Sequence, residues 1–159
     1  MLWKSGVRLG LTLLEIYYLH VTVIFEAVIH FNEDVSFSIM PELMTPLVST
    51  KQEVLFIRNR IAQISDDLAK NKGNNIAYKL GVVVETPRAA LKADDLSEVC
   101  DFLSFGTNDL TQMTYGLSRD DAGTCMLNYL EKEIFPSDPF HSLDLEGVGE
   151  LLLIATERA

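Results

Sequence analysis

Leu80-Gly81-Val82-Val83-Val84 is an unbroken apolar run, bounded by Lys79 on one side and by Glu85-Thr86-Pro87 on the other. Apolar residues without alternation, rich in β-branched valine, predict a strand covered on both faces, as in a parallel sheet. A parallel strand cannot return through a hairpin and needs a crossover, normally a helix. The run therefore commits its neighbours to a strand, helix, strand order. It also delivers Glu85 at the C-terminal end of the strand, before Pro87 ends the pairing.

The flanking segments answer that demand. Upstream, Leu43-Met44-Thr45-Pro46-Leu47-Val48 predicts a buried strand with a proline near its end. Thr50 with Glu53 three residues on forms a capping box, and Val54, Ile57, Ile61, Ile64 and Leu68 share one helical face until Asn71-Lys72-Gly73-Asn74-Asn75 stops the helix. Downstream, a short helix is predicted over 93–100, with Asp94 and Asp95 near its positive end. Phe102 to Phe105 follows as a third strand, stopped at Gly106, and a helix is expected from near Leu110. Elsewhere the signals are weaker. A segment bounded by Gly6 and Gly10 precedes an apolar run over 11–31 expected to be mostly helical, then a polar loop over 32–38. After Gly123 a helix over 125–135, a turn over 136–139 and a last helix over 143–158 are predicted.

Alternating strands and helices with short connections imply an α/β fold with right-handed crossovers. Three such strands fall short of the eight of a closed barrel, which takes about 250 residues. The 159 residues, 48% hydrophobic, suit one domain or part of a larger one. The net charge of -10 is unevenly spread: the first 72 residues hold seven basic and eight acidic groups, the rest six and fifteen. Clustered Lys and Arg for phosphate neutralisation are missing, which argues against nucleic acid and suits a divalent cation better. Glu15, His20 and Glu26 interrupt the apolar run 11–31, so a buried helix is favoured over a membrane span, and no secretory leader is visible. Cys100 and Cys125 show no metal-type spacing and are expected to be reduced thiols of an intracellular protein.

Glu85 and Asp109 each terminate a strand on the same edge of the sheet, so they can converge although 24 positions apart. Oxygen ligands on such a rim suit magnesium, which takes one or two protein carboxylates and leaves other positions to water and an anion. Solvated loop carboxylates are the bland alternative. Gly106, Thr107, Asn108 and Asp109 could hold a carboxylate or phosphate on successive amides, or Asn108 or Asp109 could simply cap the next helix. Arg88 could pair with Glu85 or face an anion. Ser104 lacks a nucleophile elbow, and His20, His30 and His141 have no triad or ligand spacing.

Two longer segments carry a resemblance. Lys79-Leu80-Gly81-Val82-Val83-Val84-Glu85-Thr86-Pro87-Arg88-Ala89-Ala90-Leu91 and Ser104-Phe105-Gly106-Thr107-Asn108-Asp109-Leu110-Thr111-Gln112-Met113-Thr114 resemble the barrel motifs of the phosphoenolpyruvate-utilising enzymes. Within that family, Pro87 to Leu91 and Ser118-Arg119-Asp120-Asp121-Ala122-Gly123 are most similar to the pyruvate, phosphate dikinases, and less so to the phosphoenolpyruvate synthases. The likeness runs from Gly6 to Glu150, nearly the whole chain.

The resemblance implies a partial (β/α)8 TIM barrel of the phosphoenolpyruvate/pyruvate type, with residues 1–159 as one incomplete domain. It implies Glu85 and Asp109 as magnesium ligands, and Glu85, Gly106, Thr107, Asn108 and Asp109 as the pyruvate or phosphoenolpyruvate site. Magnesium would act as a Lewis acid on the enolate oxygen while a phosphohistidine domain exchanges its phosphoryl group there. It further implies a homodimeric enzyme in cytoplasm or an organelle such as a plastid. The family's phosphate-clamping arginines would precede Met1 and its acid cysteine would follow Ala159, so the chain alone is expected not to turn over. Trp3-Lys4-Ser5-Gly6 stands where the family has Gly-His-Arg-Gly, Leu14 where it has proline, and Thr86 where it has isoleucine. A non-catalytic remnant or interaction module is the alternative that these departures leave open.

Overall fold

The apolar run at 80–84 becomes the middle strand of a parallel sheet. The structure is a computed structural model describing residues 5–34, 38–73 and 76–159. Helices α1 (Gly6–Thr12) and α2 (Leu14–Asp34) precede β1 (Glu42–Thr45), and α3 (Lys51–Lys72) crosses to β2 (Lys79–Val84). Helices α4 (Pro87–Leu91) and α5 (Ala93–Ser97) cross to β3 (Phe102–Phe105). Then follow α6 (Thr107–Tyr115), α7 (Arg119–Ala122), α8 (Met126–Glu131) and α9 (Val148–Arg158). The strands lie in the order β1, β2, β3, all parallel, with Met44 opposite Gly81 and Gly81 opposite Phe102. Each crossover thus steps one strand in the same direction.

Local chemistry explains the boundaries. The Thr50 side chain accepts from the Glu53 N–H, and the Glu53 carboxylate reaches back to the N–H of Thr50, so the capping box is complete. Gly73 ends α3 in the left-handed conformation, φ 74°, which glycine adopts without a Cβ penalty. Asn74 and Asn75 lie outside the described residues, as do residues 35–37 of the expected polar loop, whose first part is helical. β1 is shorter than the sequence suggests. It stops at Thr45 because Pro46 has no N–H to give a ladder and Leu47 turns to φ 55°.

The core lies between β2 and the two long helices. Leu80, Val82 and Val84 point at the α3 stripe of Val54, Ile57, Ile61, Ile64 and Leu68, with Val21, Phe25 and Ile29 of α2 closing the layer. Gly81 points the other way, where the ring of Phe102 lies so close that a Cβ would sit 2.3 Å from it. Asp101 fastens the far edge: its N–H donates to the Leu80 carbonyl and its Oδ2 accepts from the Leu80 N–H, both at 2.7 Å.

Several expectations need correction. The apolar run is two helices, and α2 is buried along one face only: Tyr18, Leu19, Val23 and Phe31 are exposed. Its length and composition would suffice to cross a membrane, a test that core helices also pass, and here it packs along α3. The helix expected over 93–100 starts at Ala93 as expected but ends at Ser97, and a further short helix, α4, precedes it across Lys92. The region 125–135 is helical only as α8. The last helix begins at Val148 rather than near 143, because Asp144 folds back to accept from the N–H groups of Glu146, Gly147 and Val148.

Candidate functional site

Glu85 and Asp109 meet at the C-terminal rim of the sheet. Glu85 follows the last residue of β2, and its side chain is buried, 7% exposed. Asp109 sits in the first turn of α6, directly after β3. Parallel neighbours ending at the same level bring both carboxyl groups to one place.

Three backbone features shape the Glu85 position. The N–H of Leu47 donates to Oε1 at 2.6 Å. That N–H points inward because Leu47 is buried at φ 55°, a left-handed conformation uncommon outside glycine. Against the other oxygen lies Gly106, whose missing Cβ would stand 2.4 Å from Oε2 and 2.7 Å from the Glu85 Cβ. Next in sequence, Thr86 accepts from the Ala89 N–H and donates to the Val48 carbonyl at 3.2 Å, tying the start of α4 to the segment after β1.

Burial pushes the Glu85 carboxyl above its ordinary value of 4.5, and the Asp109 carboxylate adds to the rise through its charge and through a side-chain hydrogen bond; only the Leu47 N–H opposes them. A like charge facing a buried carboxyl favours its protonated form, whereas a cation held between the two would favour the charged forms. Two carboxylates are what a magnesium site supplies from protein when water and an anion complete the shell. Among the described residues no group of three or more His, Cys, Asp and Glu gathers, so the pair is the complete set of such donors there. The chemistry of this donor set fits magnesium.

The Gly106 to Asp109 segment differs from the capping alternative. α6 begins at Thr107, not near Leu110, and no side chain caps it. Its first hydrogen bond runs from the Leu110 N–H to the Gly106 carbonyl at 3.1 Å. The amides of Thr107, Asn108 and Asp109 are therefore first-turn donors without a side-chain cap, and Thr107 and Asn108 are exposed. Arg88 does not pair with Glu85: its guanidinium donates to the carbonyl of Ser49.

Two contributors escaped the sequence. The Leu47 amide gave no signal, since a backbone donor is invisible until its φ is known. Gln112 had one: it stands three residues after Asp109, and i, i+3 side chains are neighbours on a helix. Its Nε2 donates to Asp109 Oδ1 at 3.1 Å. The remaining candidates are structural or surface groups. His20, His30 and His141 are exposed, with His141 bonded to Asp138 at 2.9 Å. Both cysteines are free, and burial pushes the Cys100 thiol up. One cavity of about 350 Å³ runs between α2 and α3, and another of about 450 Å³ reaches from α1 and α2 to Thr45 and Pro46, beside the turn that carries Leu47.

A parallel α/β sheet presenting carboxylates and helix amides at its C-terminal edge is the arrangement of a ligand-binding α/β domain. Residues 1–159 match the family described as PEP-utilising enzyme, PEP-binding domain, and the chain belongs to that family. It is 46% identical over 158 residues to the pyruvate, phosphate dikinase of Rhizobium meliloti (strain 1021) and 42% identical over the same length to that of Clostridium symbiosum. It is also 46% identical over 158 residues to pyruvate, phosphate dikinase 1, chloroplastic, of Zea mays. These alignments take in 99% of the chain but only 18%, 18% and 17% of the relatives, so the chain spans less than a fifth of their length.

Proposed function

We propose that the chain is a section of the phosphoenolpyruvate/pyruvate-binding barrel of a pyruvate, phosphate dikinase, the enzyme that interconverts ATP, phosphate and pyruvate with AMP, diphosphate and phosphoenolpyruvate. The observation that carries this is the meeting of Glu85 and Asp109 beside the uncapped start of α6, in a chain 42–46% identical to such dikinases. The sheet supports the barrel: its strands follow chain order, its crossovers are helical, and among the described residues β1 and β3 each keep one unpaired edge. Residues 1–159 would then be one incomplete domain. A (β/α)8 barrel places its ligands at the C-terminal ends of its strands, where Glu85 and Asp109 lie.

In this proposal Glu85 and Asp109 hold magnesium, which when bound would supply Lewis-acid stabilisation of negative charge on the substrate oxygen. The chain's own groups do the rest of the binding. Gly106 leaves room for close approach, and the first-turn amides of Thr107, Asn108 and Asp109 hold the substrate carboxylate at the positive end of α6. The Leu47 N–H fixes the orientation of Glu85. A phosphohistidine domain, a second subunit and an intracellular or organellar setting belong to the enzyme of which this would be a part.

The test is a titration of the isotope-labelled chain with pyruvate, with and without magnesium, followed at the backbone amides. Magnesium-dependent shifts centred on Gly106 to Asp109 are expected. Shifts confined to the face of α2, or none at this rim, would contradict the assignment.

A further inference from the structure

Gln112 does more than neighbour the carboxylate pair. Its side-chain amide is gripped at both ends: Nε2 donates to Asp109 Oδ1 at 3.1 Å, and Oε1 accepts from the backbone N–H of Arg119 at 2.8 Å. A backbone N–H can only donate, so the end facing Arg119 must be the oxygen. The NH₂ end is thereby forced toward Asp109. The grip is local: Arg119 is the first residue of α7, whose start is capped by the Ser118 side chain accepting from the Asp120 N–H. α6 ends at Gly116 in the left-handed conformation, φ 63°, and that turn brings Arg119 back beside Gln112.

We propose that Gln112 is a positioning residue: held by the Arg119 N–H, it fixes the rotamer of Asp109 so that the carboxylate stays aimed at Glu85 and at the cation the two would share. The inference rests on the cation assignment above only in its last clause. Asp109 lies in a partly buried rim opposite a like-charged partner, and without a donor on its own helix it would relieve that repulsion by rotating away. A neutral amide supplies the donor without adding charge, and outer groups of this kind orient ligating carboxylates in metal sites.

Two readouts test it on the full chain. The first needs no metal: the Gln112 side-chain amide, assigned from its loss in Gln112→Met, is followed by NMR. Its resonances are expected to be displaced and slow to exchange, and to collapse toward those of a solvated glutamine in Asp109→Ala. Arg119→Pro removes the backbone N–H at a helix start, where proline is tolerated, together with the guanidinium, and Arg119→Ala controls for the lost guanidinium. Arg119→Pro should release the amide while Arg119→Ala should not. The second readout is Mn2+ affinity, expected to fall roughly 10-fold in Gln112→Met, several-fold in Arg119→Pro, and to stay within about twofold in Arg119→Ala. A Gln112 amide indifferent to Asp109→Ala, or identical behaviour of Arg119→Pro and Arg119→Ala, overturns the positioning role. Should the amide pattern hold while no form of the chain takes up Mn2+, the cation assignment falls and the positioning of Asp109 by Gln112 stands.

Discussion

The backbone N–H of Leu47 donates to Oε1 of Glu85 at 2.6 Å, joining the turn after β1 to the end of β2 across 38 positions of sequence. This bond is the only one of the named influences on Glu85 that favours its charged form; burial and Asp109 both favour the proton. The folded chain therefore favours the protonated form of Glu85 more than the unfolded chain does.

A pH dependence follows. Because burial, with Asp109, raises Glu85 above its ordinary 4.5, the folded state binds more protons than the unfolded one between 4.5 and the raised value. Stability then falls as pH rises through that window. Asp144 works in the opposite sense: burial pushes its carboxyl up, but the N–H groups of Gly147 and Val148, the Tyr115 hydroxyl and the Glu146 N–H outweigh that and hold it below 3.8. Its contribution is present above 3.8 and is lost as pH falls through the lowered folded value. Thermal melts of the metal-free chain should therefore show Tm rising as pH is lowered through the raised Glu85 value toward 4.5 and dropping as pH falls below 3.8. Glu85→Gln should flatten the upper limb. An upper limb of equal slope in both proteins would refute this account of Glu85.

Gly106 is expected to tolerate no side chain. A Cβ there would stand 2.4 Å from Glu85 Oε2, well inside contact distance, so Gly106→Ala must move either the strand end or the carboxylate. Overpacking of this kind typically costs about 1–3 kcal/mol. Chemical denaturation should show a loss of that size. The variant should also weaken magnesium binding, and a neutral substitution would mean that the rim is looser than the structure shows.

Much of this site could be seen in the sequence, because strand ends are set by local patterns. The unbroken run from Leu80 to Val84 and the stop at Gly106 sufficed to put Glu85 and Asp109 on one edge, and Thr50 with Glu53 marked the start of α3. What escaped depended on tertiary placement. Leu47 could not be foreseen as the donor to Glu85, since its φ of 55° arises where Gly6 and Pro46 pack around it. The sequence could not show that the Arg88 guanidinium reaches the Ser49 carbonyl rather than Glu85. The start of α9 was misplaced because an aspartate side chain, Asp144, and not a hydrophobic period decides it.

Two glycines separate backbone strain from contact. Gly73 and Gly6 both have positive φ, 74° and 55°, but a Cβ at Gly73 meets nothing within 4 Å, whereas at Gly6 it would stand 2.8 Å from both the Pro46 carbonyl and the Leu47 Cβ. Gly73→Ala should cost about 1–2 kcal/mol, the price of a left-handed L-residue alone. Gly6→Ala should cost more and, by displacing Leu47, should also disturb Glu85. Equal losses in unfolding experiments, with the Glu85 environment unchanged, would show that Gly6 does not support the rim.

The most direct test of the central claim, that Glu85 and Asp109 form one cation-dependent site, is calorimetry of the chain with magnesium in the presence of oxalate, a planar dicarboxylate mimic of enolpyruvate. The account predicts binding by the wild-type chain that is lost in Asp109→Ala and strongly weakened in Glu85→Gln. Equal magnesium binding by the wild-type chain and both variants would contradict it.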